Sequence, residues 1–201
     1  MKKRSCRSAD CWKRPPNGTS VPRNGAGSVH EVKMTLVSLL RPGMGNPEQD
    51  EFLAKAPPLD LFATLAHSPV LARRFAGLGA AVMMEGALSP ELREIAALRV
   101  AYRCNAPYVL AQHQRVARQI GMSEDKVMQS QCEEGGEAFA PLEQRVLALV
   151  DVYFQAPEMV ANFDFSELTD ALDERQIVEL LVTIGYFAMV AIFTTGLQLD
   201  V

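Results

Sequence analysis

Between Leu88 and Gly121 the apolar positions recur at helical spacing on two segments that meet at a turn, LSPELREIAALRVAYRCNAPYVLAQHQRVARQIG. The first segment opens with Ser89 as N-cap, Pro90 at the first helical position and Glu91 behind it. Proline loses nothing there, because that N–H has no helical partner anyway. Ile95, Leu98 and Tyr102 then form an apolar face. Cys104-Asn105-Ala106-Pro107 predicts the turn, since proline disfavours helix for the residue before it. The second segment carries Val109, Leu110, Val116 and Ala117 on one side and ends at Gly121, a residue suited to a left-handed C′ position. The two together predict a helical hairpin.

The rest of the chain reads as further helices packed around it. Residues 34–58 are punctuated by Arg41-Pro42-Gly43 and Pro57-Pro58 and predict an extended, loop-like run. Leu59, Leu61, Phe62 and Leu65 give one apolar face, Ser68-Pro69 starts the next helix, and Met83-Met84 fill core before a break at Gly86. Ser123 begins a short helix with acidic residues in its first turn. A polar, Gly-containing loop spans Gln129 to Ala138. Pro141 then opens a helix whose buried side carries Val146, Leu147 and Val150, and a short helical piece lies between Phe163 and Asp173. With no alternating strand pattern, the fold class is all-α.

The last apolar run, LLVTIGYFAMVAIFTTGL from Leu180 to Leu197, has the length of a marginal membrane span. Asp173, Glu174 and Glu179 precede it, no Lys or Arg flanks it directly, and single-span anchors generally show a basic side. It is read as a core helix that also forms an oligomer contact, with no membrane as partner. Glu179 at its start is expected to be partly buried, with Arg99 as a candidate partner.

Composition separates two regions. Residues 1–33 hold eight Lys/Arg against Asp10 and Glu31, which leaves the remainder at −10 within a total of −4. The first 33 residues lack any apolar period and are rich in Arg, Ser, Pro and Gly, so they read as a disordered basic tail. Residues 34–201 form the folded domain, which is acidic and therefore a poor nucleic-acid binder. Cys6, Cys11, Cys104 and Cys132 have neither metal-ligand nor disulfide-framework spacing, which points to a reducing, cytoplasmic setting. His67 reads as a helix-end or packing residue, with no second ligand nearby for a metal.

Two polar residues interrupt the hairpin's apolar sides. Glu94 lies at the edge of the first face and His113 among the apolar residues of the second. Counting from the turn at about 1.5 Å per residue leaves them roughly 6 Å apart in height, within reach of each other. A carboxylate and an imidazole converging in a partly apolar cleft are the usual parts of a proton-transfer site. The same two residues would equally serve as a buried pair that pins two helices together.

The hairpin resembles the carboxymuconolactone decarboxylase family, which includes the alkylhydroperoxidase D-like proteins. The family pattern is a glutamate, eleven residues, Cys-x-x-Cys, three residues and a histidine; Glu94 and His113 occupy its two ends with the matching separation. Tyr108 and Gln112-His113 are similar to a variant in which Tyr-Glu-Trp precedes the histidine. Phe62, Leu65, His67 and Pro69 are similar to a Phe-x-x-Leu-x-His-x-Pro run that comes before the hairpin. The chain departs from the pattern at both cysteines, which are Ala106 and Val109; Cys104 lies two positions too early.

The resemblance implies an all-α alkylhydroperoxidase D-like domain that assembles as a homo-oligomer, a trimer or hexamer, and requires no cofactor. It also implies an enzyme using Glu94 and His113 as an acid–base pair on a small carboxylate or lactone. Tyr108, Arg103 and Arg115 are the candidate substrate-binding residues, the arginines as cations for a substrate carboxylate. Two alternatives stand beside it. One is a thiol-dependent alkylhydroperoxidase using Cys104, although that chemistry needs a thiolate and a resolving thiol. The other is a non-catalytic helical oligomer.

Overall fold

The computed structural model describes residues 35–132 and 136–200, and the described residues contain helices and no strands. The tail expected at residues 1–33 lies outside them. In chain order the helices are α1 (Pro47–Leu53), α2 (Asp60–Leu65), α3 (Pro69–Ala80), α4 (Pro90–Arg103), α5 (Pro107–Gln119), α6 (Glu124–Gln129), α7 (Pro141–Gln155), α8 (Ser166–Ala171) and α9 (Glu174–Gly196). A π-helical turn at Ala81–Glu85 continues α3, and a 3-10 segment at Pro157–Asn162 follows α7.

The stretch before α2 is not wholly extended, as its prolines and glycines suggest. Asn46 accepts hydrogen bonds from the N–H groups of Glu48 and Gln49, and the Gln49 side chain accepts from the Asn46 N–H at 2.8 Å. This reciprocal cap satisfies otherwise orphan donors, and Pro47 at the first position completes the start signal. Phe52 thereby becomes a core residue.

The hairpin forms α4 and α5. Ser89 Oγ accepts from the Leu92 N–H at 3.2 Å. Asn105 takes a left-handed φ of 49° at the turn, and Pro107 opens α5. Gly121 ends α5 with φ 87°, a conformation in which a side chain would be strained.

The helix α4 is the axis of the fold, packed by α5, α7, α9 and α6. Every residue from Leu92 to Tyr102 is buried, so the face seen in sequence is only part of its contact surface. Three of those residues are Arg93, Glu94 and Arg99. Buried charge is costly unless paired, and each of the three is paired. Arg99, fully buried, places Nε and Nη2 on the two oxygens of Asp151 of α7, both at 2.6 Å. Its Nη1 donates to the Ser130 and Cys132 carbonyls. Arg103 donates Nε to the same Asp151 at 2.7 Å.

The partner of Arg99 is therefore Asp151 and not Glu179. Glu179 instead accepts from the Leu88 N–H at 2.7 Å and from Arg175 Nε, one turn earlier, at 2.8 Å. Burial opposes its ionisation, but the Leu88 N–H and the Arg175 guanidinium outweigh that and hold the carboxyl below its ordinary range. Glu179 thus joins the start of α9 to the entry of α4, whereas Arg99 is committed to α7.

The helix α9 is long and apolar enough to cross a membrane by length and composition, and half of its apolar stretch is buried inside the domain. Leu180, Ile184, Phe187 and Ala191 face the core. Val178, Leu181, Val182, Met189 and Ile192 form an outward row.

Candidate functional site

Glu94 and His113 meet where α4 and α5 pack together. His113 Nδ1 and Glu94 Oε2 are 2.7 Å apart, and the other carboxylate oxygen accepts from Arg93 Nε at 3.1 Å. The Glu94 side chain is wholly enclosed, while that of His113 keeps 11% of its exposure. An ionised carboxylate only accepts, so its neutral imidazole partner carries the proton on Nδ1 and has its lone pair on Nε2. Among the described residues no group bonds Nε2. The His113 ring meets Phe187 of α9 edge-on, with centroids 4.4 Å apart.

Arg93 is the member of this cluster that sequence reasoning passes over. Neighbouring positions on a helix point about 100° apart and are not expected to face each other. A long side chain folding back along the helix surface still reaches. Its charge balances Glu94, so the group of three is electrically neutral while the imidazole is neutral. No motif marks this; the signal is only that a buried carboxylate needs a nearby cation.

The other candidates stand elsewhere. Tyr108 is buried, and its hydroxyl accepts from the Leu61 N–H at 3.3 Å, which ties α5 to the first turn of α2. Burial pushes its phenol above the ordinary value, with the Leu61 bond opposing. Arg103 lies nine residues along α4 from Glu94, about 13 Å at helical rise. It is held on Asp151 and stacked over the Tyr102 ring. Arg115 is exposed and follows His113 by two residues, about 200° round the helix. His67 bonds the Ser38 carbonyl through Nε2 at 2.8 Å, a packing contact. Among the described residues no three His, Cys, Asp or Glu side chains gather as a metal site.

Comparison with known proteins decides the family. Residues 69–150 match the carboxymuconolactone decarboxylase family, a span that includes the whole hairpin and much of α7. This region is a carboxymuconolactone decarboxylase family domain. Three solved structures share its fold. A peroxidase-related protein from Silicibacter sp. is 18% identical, with a TM-score of 0.72 over 87% of this chain and 95% of its own. An AhpD-type protein of unknown function from Agrobacterium tumefaciens is 20% identical, with a TM-score of 0.63 over 68% of this chain and 94% of its own. A debrominase solved with 2,3,4-tribromopyrrole is 18% identical, with a TM-score of 0.65 over 83% of this chain and 92% of its own. No curated protein matches the sequence.

Within the carboxymuconolactone decarboxylase scaffold, the two positions where the family pattern has cysteines are filled by Ala106 and Val109, both buried. Cys104 is the free thiol among the described residues and forms the C-cap of α4. Burial pushes this thiol up to about 11. Relative to an ordinary thiol near 9.0, the thiolate fraction at neutral pH is about 100-fold smaller. Iodoacetamide at pH 7 is therefore expected to modify Cys104 about 100-fold more slowly than an unburied cysteine, with the rate still rising toward pH 11. Peptide mapping of a time course checks this. Labelling at the rate of an unfolded cysteine peptide would mean that Cys104 is a ready thiolate after all.

Proposed function

We propose that this protein is an enzyme of the carboxymuconolactone decarboxylase family that moves a proton with Glu94 and His113 on a small, neutral organic substrate of the lactone type. The observation that carries the reading is the 2.7 Å Glu94–His113 hydrogen bond through Nδ1, with Nε2 left available. Glu94 orients the ring and stabilises the imidazolium formed when Nε2 takes a proton, and Arg93 donates to the other carboxylate oxygen. The proton returned by Nε2 completes the cycle without a thiol, in keeping with Ala106 and Val109 at the cysteine positions.

A neutral substrate is favoured over a carboxylate because the expected cations are not at the pair. Arg103 is charge-paired with Asp151, and Arg115 points from another side of α5. The debrominase relative, solved with a small aromatic compound, supports a catalytic use of the fold on compact organic molecules. In this reading the protein is a cytoplasmic homo-oligomer, with the outward row on α9 as the contact between copies. The test is turnover of neutral lactones by the wild type and its loss in Glu94→Gln and His113→Gln variants that keep their helical content. If both variants are destabilised and no lactone is ever turned over, the pair is a structural pin.

A further inference from the structure

A second site lies beyond the Glu94–His113 pair. An apolar cavity of about 630 Å³ opens between α1, α2, α3 with its π-helical turn, and α9. Phe52, Phe62, Met83 and Tyr186 contribute to its walls, and neither Glu94 nor His113 does. Phe187 stands between the two places, lining the cavity and touching the His113 ring edge-on. The volume falls within the range of small-molecule pockets, about 300–1,000 Å³.

One polar atom inside it has no protein partner. Tyr186 is only 7% exposed, yet among the described residues its hydroxyl makes no hydrogen bond. The hydroxyl is not sealed inside the protein but opens to the cavity, so a donor stands where a ligand's acceptor can reach it in place of water. The hydroxyl lies over Gly79, another lining residue; a Cβ at that position would come within 2.5 Å of it. Burial pushes the phenol up to about 12, so it stays a protonated donor across the working pH range.

Charge at the cavity's edge is already balanced. Lys55 pairs with Glu51 at 2.8 Å, and Arg73 pairs with Glu48 at 2.5 Å. Neither cation is offered alone to an anionic ligand. We infer that this cavity is a binding site for a neutral, largely aromatic or aliphatic small molecule carrying one hydrogen-bond acceptor, which Tyr186 Oη engages. The site stands apart from the proton-transfer reading, because Tyr186 donates a hydrogen bond and does not exchange a proton.

The experiment uses the full chain and two probes of the same shape, benzophenone with a carbonyl acceptor and diphenylmethane without one. Both are titrated calorimetrically into the wild type, Tyr186→Phe and Ala76→Trp, whose melting temperatures are recorded alongside. Tyr186→Phe breaks no protein hydrogen bond, so its melting temperature is expected to match the wild type. Its affinity for benzophenone is expected to fall about 3- to 10-fold, the worth of one hydrogen bond, with diphenylmethane unchanged. Ala76→Trp, which fills the cavity, is expected to abolish binding of both. Absence of saturable binding to the wild type, as when a second copy occupies the cavity, would overturn the inference. So would an equal effect of Tyr186→Phe on both probes, or unaltered binding in a folded Ala76→Trp variant.

Discussion

Replacing Asp151 with alanine is expected to destabilise the protein by about 1.5–3 kcal/mol, the worth of hydrogen bonds to a charged group and more than the loss of an exposed ion pair. The carboxylate is 21% exposed and serves two guanidiniums, those of Arg99 at 0% and Arg103 at 5% exposure. Removing it takes away the charge both arginines share while leaving them inside the fold. Asp151→Asn is expected to cost nearly as much, since an amide keeps the shape but not the charge. The contrast is Glu124→Ala, which breaks an ion pair with Arg118 whose two side chains are about half exposed. Such pairs contribute about 0–1 kcal/mol. Denaturant midpoints of the three variants give the comparison. An Asp151→Ala cost no larger than that of Glu124→Ala would show that the arginines draw their balance from elsewhere.

The second large effect is on catalysis. Glu94→Gln and His113→Gln are each expected to lower kcat/KM on a lactone substrate by about 10²–10⁴-fold, the usual contribution of a general acid–base group. His113→Gln removes the lone pair that takes the proton. Glu94→Gln keeps an acceptor for Nδ1 but loses the negative charge that stabilises the imidazolium. The double variant is expected to be little worse than either single one, because the two act as one unit. Cys104→Ser is expected to change kcat/KM by less than about twofold, as a thiol held near 11 contributes little thiolate. Hydroperoxide reduction by the wild type that Cys104→Ser abolishes would instead assign the chemistry to the thiol.

How far the sequence discloses this arrangement differs from element to element. The hairpin is legible because its signals are local: a Ser-Pro start, a Pro-marked turn and a Gly end act within a few residues of themselves. The Glu94–His113 contact is legible because helical rise alone fixes the two heights. By contrast α1 depends on Asn46 and Gln49 exchanging hydrogen bonds, a weak signal amid prolines and glycines that suggest a loop. The partner of Arg99 is a tertiary matter: Asp151 lies 52 residues away, and no spacing rule selects it over Glu179. The cavity is equally hidden, since Phe52, Phe62 and Tyr186 read as ordinary core residues until α1, α2 and α9 are seen not to close on each other.

Proton transfer by this pair depends on which nitrogen of His113 holds its proton. Nitrogen NMR of the imidazole in the resting protein reports this directly, without a substrate. The arrangement predicts a neutral ring protonated on Nδ1, hydrogen-bonded to an ionised Glu94, with Nε2 bare and solvent-reachable. A ring protonated on Nε2, with Nδ1 accepting from a protonated Glu94, would contradict it, because no base would then face outward.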